Sequence, residues 1–211
     1  MSASTAGDVS SPPPGAKPRR GRRWLVAALL ALALGLAHRP LLVGYARQFR
    51  IDDRAPSDAL VLLSDSPEAT ELYRRGLAPL LLTVSAAPFP FPDLNPAEVG
   101  RRILVRQGIP ADSIRVVTSD IPFPDERQVA HAIARYARSH ALRRITVVAG
   151  SAQTGHLRRV YRRALRGTGV DVRLAAVPNP WYHEASWYTT DEGLVDYFNE
   201  TIQWFLDLFC G

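Results

Sequence analysis

The sequence contains only one cysteine, Cys210, which excludes an internal disulfide and a metal cluster built on several thiolates. It has no Walker phosphate loop and no G-x-G-x-x-G fingerprint, and Gly150-Ser151 lacks the flanking glycines of a nucleophile elbow. No His, Cys, Asp or Glu spacing typical of a metal site occurs either. The sequence therefore predicts no metal site, leaves the cofactor unknown and does not identify a reaction.

Acidic residues are scarce at the start of the chain. Up to Arg50 there are eight Lys and Arg residues against one acid, Asp8, which leaves 18 basic and 19 acidic residues for the remainder. The net charge of +6 therefore belongs to the N-terminal segment, and the rest of the chain is close to neutral. Nucleic-acid binding needs a basic face on the folded domain, so no nucleic-acid partner is predicted.

The N-terminal segment has the pattern of a membrane anchor. Residues 1–23, rich in Ser, Pro and Gly and then in Arg, are predicted to be a disordered, basic cytoplasmic tail. Residues 24–46 are mostly Leu, Ala and Val and are predicted to be a transmembrane signal anchor. The alternatives are a signal peptide cleaved near residues 35–37 and a buried helix of a soluble protein. The anchor predicts a single-pass protein of the bacterial inner membrane, with the bilayer as partner and the C-terminal domain extracytoplasmic.

The rest of the chain has the alternation of an α/β domain. Residues 47–57 are predicted to be a polar linker, and residues 58–211 the domain itself. Short apolar runs that predict strands alternate with amphipathic helical patterns; these runs are residues 58–64, 79–85, 114–118, 145–149 and 170–177. This order predicts a Rossmann-like doubly wound parallel sheet of about five strands, preceded by the transmembrane helix. A last helix, residues 190–209, is predicted to pack inward through Leu194, Val195, Phe198, Ile202, Phe205 and Phe209.

The clearest strand-to-helix unit lies in residues 144–164. An apolar run ends at Gly150-Ser151, and a helix with Leu157, Val160 and Tyr161 on one face follows. Ligands of such sheets bind beyond the carboxyl ends of the strands, where helix N-termini also favour an anion such as phosphate. The predicted ligand-binding residues at these ends are Ser64, Asp65, Ser85, Arg127, Gly150, Ser151, Gln153 and Trp187. The alternative roles are helix capping for the polar residues and packing of the last helix for Trp187.

Two residues are predicted to be catalytic. Glu126, beside Arg127, is a candidate general base next to a phosphate-binding guanidinium. His156, one turn into its helix, is a candidate acid or base that points into the crevice. The alternatives are an ordinary acid in the first turn of a helix and an ordinary histidine on a helix surface.

Several stretches resemble the YdcF/SanA/ElyC-like domain-of-unknown-function family of bacterial envelopes. They are D-A-L-V-L-L at residues 58–63 with E-L-Y-R-R-G-L-A-P at 71–79, the helix starting at Glu126, the central strand–helix unit, and the stretch from Trp187 to Trp204. The resemblance covers residues 58–208 and departs from the family pattern in places. Gln153 stands where the family has its signature histidine, and the first loop, residues 64–66, is shortened.

The resemblance implies a Rossmann-like fold and a role in the metabolism of peptidoglycan or of its lipid carrier. Glutamine cannot transfer protons near neutral pH, although it can hydrogen-bond a ligand. If the family histidine is catalytic, this chain is altered or inactive unless His156 replaces it. Two functions therefore stay open: an enzyme acting on a small ligand, such as a phosphorylated one, and a non-catalytic binding or scaffold protein of the same fold.

Overall fold

The computed structural model describes residues 20–63, 67–86, 95–121 and 124–210. The chain divides into two units, Met1–Arg39 and Pro40–Gly211. The first helix, α1, is Arg20–Arg47, so residues 20–23 of the predicted disordered tail are helical, and residues 1–19 lie outside the described residues. In the first unit the side chains of residues 24–33 of α1 are exposed, with Trp24 75% exposed.

By length and composition, none of the described helices could cross a bilayer alone, whereas the bent pair Trp24–Ala33 and Ala37–Arg47 could do so together.

The second unit is built on five strands that are all parallel. They are β1 Ala59–Leu62, β2 Leu81–Ala86, β3 Ile114–Ser119, β4 Arg144–Gly150 and β5 Asp171–Val177. Their order in the sheet is β3-β2-β1-β4-β5, with Leu60 opposite Leu81 and Val61 opposite Val147. This order confirms the predicted Rossmann-like parallel sheet, and its direction of winding reverses between β1 and β4.

Helices cover both faces of the sheet, as doubly wound topology requires. They are α2 Pro67–Arg74, α3 Pro96–Arg106, α4 Glu126–Ser139, α5 Thr154–Ala164 and α6 Asp191–Cys210. Leu72 of α2 and Leu104 of α3 pack on one face, and Ile133 of α4 and Tyr161 of α5 pack on the other. The short buried strands and the apolar faces of these helices thus form two core layers around one sheet.

The predicted inward packing of α6 is wrong. Leu194, Val195, Phe198, Ile202, Phe205 and Phe209 are all exposed, by between 40% and 76%. Its polar side faces the protein instead: Tyr182 Oη donates to Asp196 Oδ2 at 2.8 Å, and Arg159 Nε donates to Asp207 Oδ2 at 2.8 Å. Periodicity correctly indicates that α6 is amphipathic, but the partners of its carboxylates decide which side turns inward.

The segment predicted to be a linker is bound to the domain. Asp53 N donates to Leu174 O at 3.0 Å, and Asp53 Oδ1 accepts from Leu174 N at 2.8 Å, so the segment runs along β5. Phe49 is buried in an aromatic cluster with Tyr45, Trp187 and Tyr197. The end of α1 and the start of α6 are therefore held in the same cluster.

Candidate functional site

The starts of α4 and α5 and the polar side of α6 enclose a cleft of about 630 Å³. Ionisable and amide side chains dominate its lining: Asp125, Glu126, Arg127, Gln153, His156, Asp196, Glu200 and Gln203. The α4 and α5 starts follow β3 and β4, so the cleft opens at the carboxyl edge of the sheet, where this topology places ligands.

His156 lies at the centre of a chain of ionisable groups. Its ring is 5% exposed, and its Nε2 lies 2.9 Å from Glu126 Oε2 while its Nδ1 lies 3.2 Å from Asp207 Oδ2. The structure thus brings the two predicted catalytic residues into contact. Only the protonated imidazole can donate from both nitrogens, so this arrangement favours the imidazolium.

The charged groups around His156 also favour its protonated form. The hydrogen bond to Glu126 raises the pKa of His156 above its ordinary value, although burial of the ring opposes this. Burial raises the pKa of Asp207, but hydrogen bonds from Arg159 and His156 outweigh burial and lower the pKa of this carboxyl overall. Asp207 therefore stays ionised and holds the imidazolium from the side opposite Glu126.

Glu200 is a buried carboxyl in the same cleft, and the sequence did not identify it. It is 7% exposed, and its Oε2 has no hydrogen-bond partner among the residues that the structure describes. Burial raises its pKa to about 7, against the opposing charge of His156. A carboxyl that titrates near neutral pH and is not used by the fold is suited to proton transfer.

Local sequence explains how the first turns of α4 and α5 are set. Asp125 is the N-cap of α4: its Oδ1 accepts from Gln128 N at 2.8 Å while Gln128 Oε1 accepts from Asp125 N at 2.9 Å. This reciprocal capping box makes Glu126 the first helical residue. Asp125 therefore has a capping role, and Glu126 is free to reach His156.

The start of α5 is held by the segment that follows α1. Gly155 N donates to Phe49 O at 2.8 Å, and Thr154 Oγ1 accepts from Ile51 N at 2.8 Å. A Cβ atom at Gly155 would lie 2.7 Å from Phe49 O, so only glycine permits this approach. An N–H group at the start of α5, where an anion was expected, therefore donates to the chain itself. The same contact fixes the backbone next to His156.

The predicted ligand-binding residues fall into four groups. Arg127 and Gln153 line the cleft, beside Gly150 at the end of β4. Ser151 is buried, donates its N–H to Val177 O at 3.0 Å and lines a separate cavity of about 250 Å³. Ser64 and Asp65 lie outside the described residues.

Two more predicted residues are engaged in packing. Ser85 is buried and accepts a hydrogen bond from Asn95 Nδ2 at 2.5 Å. Trp187 is 7% exposed, donates from Nε1 to Leu42 O at 3.1 Å and stacks near Tyr45 and Tyr197. Neither side chain lines the main cleft, and for Trp187 these contacts correspond to the packing alternative.

A weak sequence signal existed for the residues of α6. Asp196, Glu200 and Asp207 are spaced i, i+4 and i+11, which places three carboxylates on one side of an amphipathic helix. The same spacing is usual for a solvated face, so the pattern alone does not point to a site. Within the described residues, no group of three or more His, Cys, Asp or Glu side chains could hold a metal ion.

Comparison with protein-family models gives no match, and comparison with curated protein sequences gives none either. The resemblance to envelope proteins stays a prediction, and the function has to be argued from the cleft.

Proposed function

We propose that the chain is a membrane-anchored, extracytoplasmic α/β domain of the bacterial inner membrane that performs general acid–base chemistry on a small polar ligand of envelope metabolism. The observation that most supports acid–base chemistry is that an imidazolium and a carboxyl of pKa about 7 lie in one cleft. Their pKa values make His156 the proton donor and Glu200 the proton acceptor.

Hydrolysis is the reaction class that uses both groups. Glu200 takes a proton from a water molecule that attacks the ligand, and the bond to the departing oxygen breaks as that oxygen takes the Nε2 proton of His156. The departing oxygen replaces the half-exposed Glu126 at Nε2, while Asp207 keeps its contact with Nδ1. Glu126 and Asp207 hold the His156 ring and are positioning residues, because each hydrogen-bonds a ring nitrogen. This scheme predicts a bell-shaped dependence of turnover on pH, with the lower limb near pH 7 set by Glu200.

The charges of the cleft limit the ligand. Its lining contains the carboxyls of Asp125, Glu126, Asp196 and Glu200, against the cationic groups of Arg127 and His156. Such a lining favours hydroxyl and amide groups on most of the ligand and tolerates one anionic group next to Arg127. A phosphorylated ligand would thus place its phosphate at Arg127, the guanidinium beside Glu126.

The test is hydrolysis of nitrophenyl phosphate, nitrophenyl acetate and the nitrophenyl glycoside of N-acetylglucosamine by the full-length protein in detergent. We expect Glu200→Gln and His156→Gln each to reduce turnover by roughly 10²- to 10⁴-fold. His140→Gln is the matched control, since His140 is exposed and lies against Tyr136 at the end of α4. Equal turnover in all three variants would contradict an acid–base role.

One observation favours the alternative of a non-catalytic scaffold. Both ring nitrogens of His156 are engaged by carboxylates of the chain itself, and these contacts join α4, α5 and α6. If His156 has a purely structural role, His156→Gln should lower thermal stability, and neither the variant nor the unmodified protein should hydrolyse the nitrophenyl substrates. Turnover by the unmodified protein that is lost in Glu200→Gln would exclude this alternative.

A further inference from the structure

The side of α6 that faces away from the protein is apolar over an unusually wide arc. Taken at about 100° per residue, the exposed apolar residues of α6 span about 200° of its circumference. They are Leu194, Val195, Phe198, Ile202, Trp204, Phe205, Leu206, Leu208 and Phe209, called here the apolar arc. A helix that packs on one neighbour needs a stripe of about 100°, so a single partner helix would leave much of this arc in water.

The opposite side of α6 is committed to the cleft. Asp207 accepts from His156 and Arg159, and Asp196 accepts from Tyr182. The helix cannot rotate to bury the apolar arc without breaking these ion pairs and removing Glu200 from the cleft. The outward orientation is therefore built into the fold.

The start of the apolar arc adjoins the end of α1. Leu42 and Tyr45 line a groove of about 520 Å³ together with Trp187, Leu194 and Phe198, and almost all of its surface is apolar. Leu42 and Tyr45 are among the last residues of the proposed anchor, residues 24–46. The end of a membrane-spanning segment lies at the bilayer surface, so the first turns of α6 lie there too.

The amino-acid composition of the arc agrees with a position at the bilayer surface. Phe198, Trp204, Phe205 and Phe209 are exposed on the arc, and Trp, Phe and Leu are the side chains that interfacial amphipathic helices bury in a membrane surface. Asp196 and Asp207 of α6 are turned away from the arc and paired within the domain. Attachment would then depend on apolar burial and not on anionic lipids.

We infer that α6 lies in the surface of the bilayer, with its apolar arc immersed among lipid headgroups and the ends of the acyl chains. This inference rests on the anchoring part of the proposed function. It adds a second membrane contact, which fixes the orientation of the cleft relative to the bilayer. The occupant of the groove at Leu42 and Tyr45 is then a phospholipid chain.

The experiment uses the full-length protein in phosphatidylcholine vesicles, in a Cys210→Ser background that leaves no other thiol. Single nitroxide labels are placed at Phe198→Cys and Phe205→Cys in the arc and at Glu192→Cys, an exposed position of α6 outside the arc. Collision rates are measured with oxygen, which concentrates in lipid, and with a neutral nickel chelate, which stays in water. Leu194→Cys and Leu206→Cys, both exposed in the arc, repeat the measurement should a phenylalanine variant fold poorly.

We expect the ratio of oxygen to nickel collisions to be several-fold higher at both arc positions than at Glu192→Cys, and unchanged when phosphatidylglycerol is added. Similar ratios at all positions would overturn the inference, because the arc would then be in water. Exclusion of both reagents from the arc would also overturn the inference, because the arc would then be buried against protein. Spin–spin broadening in that case would identify the partner as a second copy of the chain. Alkaline carbonate extraction of the same vesicles tests the α1 anchor separately, so failure of one membrane contact is distinguished from failure of the other.

Discussion

At the scale of single residues, His156 shows how a buried histidine stays charged. Burial alone would favour the neutral ring, since transfer from water disfavours the ionised form. Glu126 at 2.9 Å and Asp207 at 3.2 Å reverse that preference, and Arg159 keeps Asp207 ionised. Glu200 shares the cleft but has no such partner for its Oε2 among the described residues, so its carboxyl is the group whose protonation changes near neutral pH.

Replacing Glu126 by glutamine should lower the pKa of His156. The hydrogen bond to Glu126 is the largest influence that raises this pKa, and an amide at the same place keeps the shape but loses the negative charge. Titration of the histidine ring signals by NMR measures the shift, with His140 as an internal reference. An unchanged pKa at His156 would show that the Glu126 contact is absent in solution.

Glu200 should make the protein less stable as pH rises. Its pKa in the folded protein is about 7, against an ordinary value of 4.5, so the folded state binds the proton more tightly. The stabilisation is complete below pH 4.5 and is lost as pH rises through about 7, by up to about 3 kcal/mol. The pKa of His156 is also raised, so its contribution is complete below 6.5 and is lost above that value.

Glu200→Gln removes the contribution of Glu200 to this pH dependence. Thermal unfolding between pH 5 and pH 8 should show a flatter stability profile for Glu200→Gln than for the unmodified protein, with the variant relatively more stable at pH 8. Parallel profiles in the two proteins would mean that Glu200 titrates with an ordinary pKa.

At the scale of secondary-structure elements, the position of α5 depends on the segment after α1. The carbonyl of Phe49 accepts a hydrogen bond from Gly155 N, and the hydroxyl of Thr154 accepts one from Ile51 N. These contacts connect the segment after α1 to the helix that carries His156. That segment and the cleft are therefore linked through the first turn of α5.

Gly155→Ala tests this link. The new methyl group would lie 2.7 Å from Phe49 O, a backbone atom, and relief of that overlap should reduce stability by about 1–3 kcal/mol. Gly44→Ala in α1 is the matched control, because nothing lies within 4 Å of its Cβ position and alanine is the better helix former. Calorimetry of both variants should show a lower melting temperature for Gly155→Ala alone, and an equal effect in both would exclude the proposed close contact.

At the scale of the whole molecule, the question is where the domain lies relative to the membrane. The first unit carries exposed apolar side chains in its helix, and Lys17, Arg19, Arg20, Arg22 and Arg23 lie immediately before the apolar stretch. Basic residues next to a membrane-spanning helix stay on the cytoplasmic side, so the proposed anchor predicts that the domain after it lies outside. The rest of the chain is close to neutral, so this prediction rests on the N-terminal segment alone.

The topology prediction is checked in bacterial spheroplasts. We expect the chain at full-length mass in the membrane after carbonate washing, and we expect external protease to digest residues beyond the anchor. Spheroplasts lysed before protease treatment provide the control for a cytoplasmic domain. Protection in intact spheroplasts, or recovery in the soluble fraction, would contradict the extracytoplasmic assignment and redirect the search for a ligand to the cytoplasm.

The local sequence pattern was sufficient to predict most of the fold. Each apolar run predicted as a strand is a strand, because a strand covered on both faces is continuously apolar whatever its neighbours are. Asn95 and Asp125 begin helices because their side chains accept N–H groups two and three residues on. Sequence reasoning also placed Glu126 and His156 at the starts of two helices.

By itself, then, the sequence determined the elements, their order and the edge of the sheet that holds the site. Only the tertiary structure decided that Glu126 meets His156, because these residues follow β3 and β4, which are not neighbours in the sheet, and the packing of α4 on α5 is not a local property. It also decided that Glu200 and Asp207 complete the cleft, since residues 44 and 51 positions after His156 are brought to it by the packing of α6. Periodicity shows that a helix has two sides, and the charges it meets across the interface decide which side is buried.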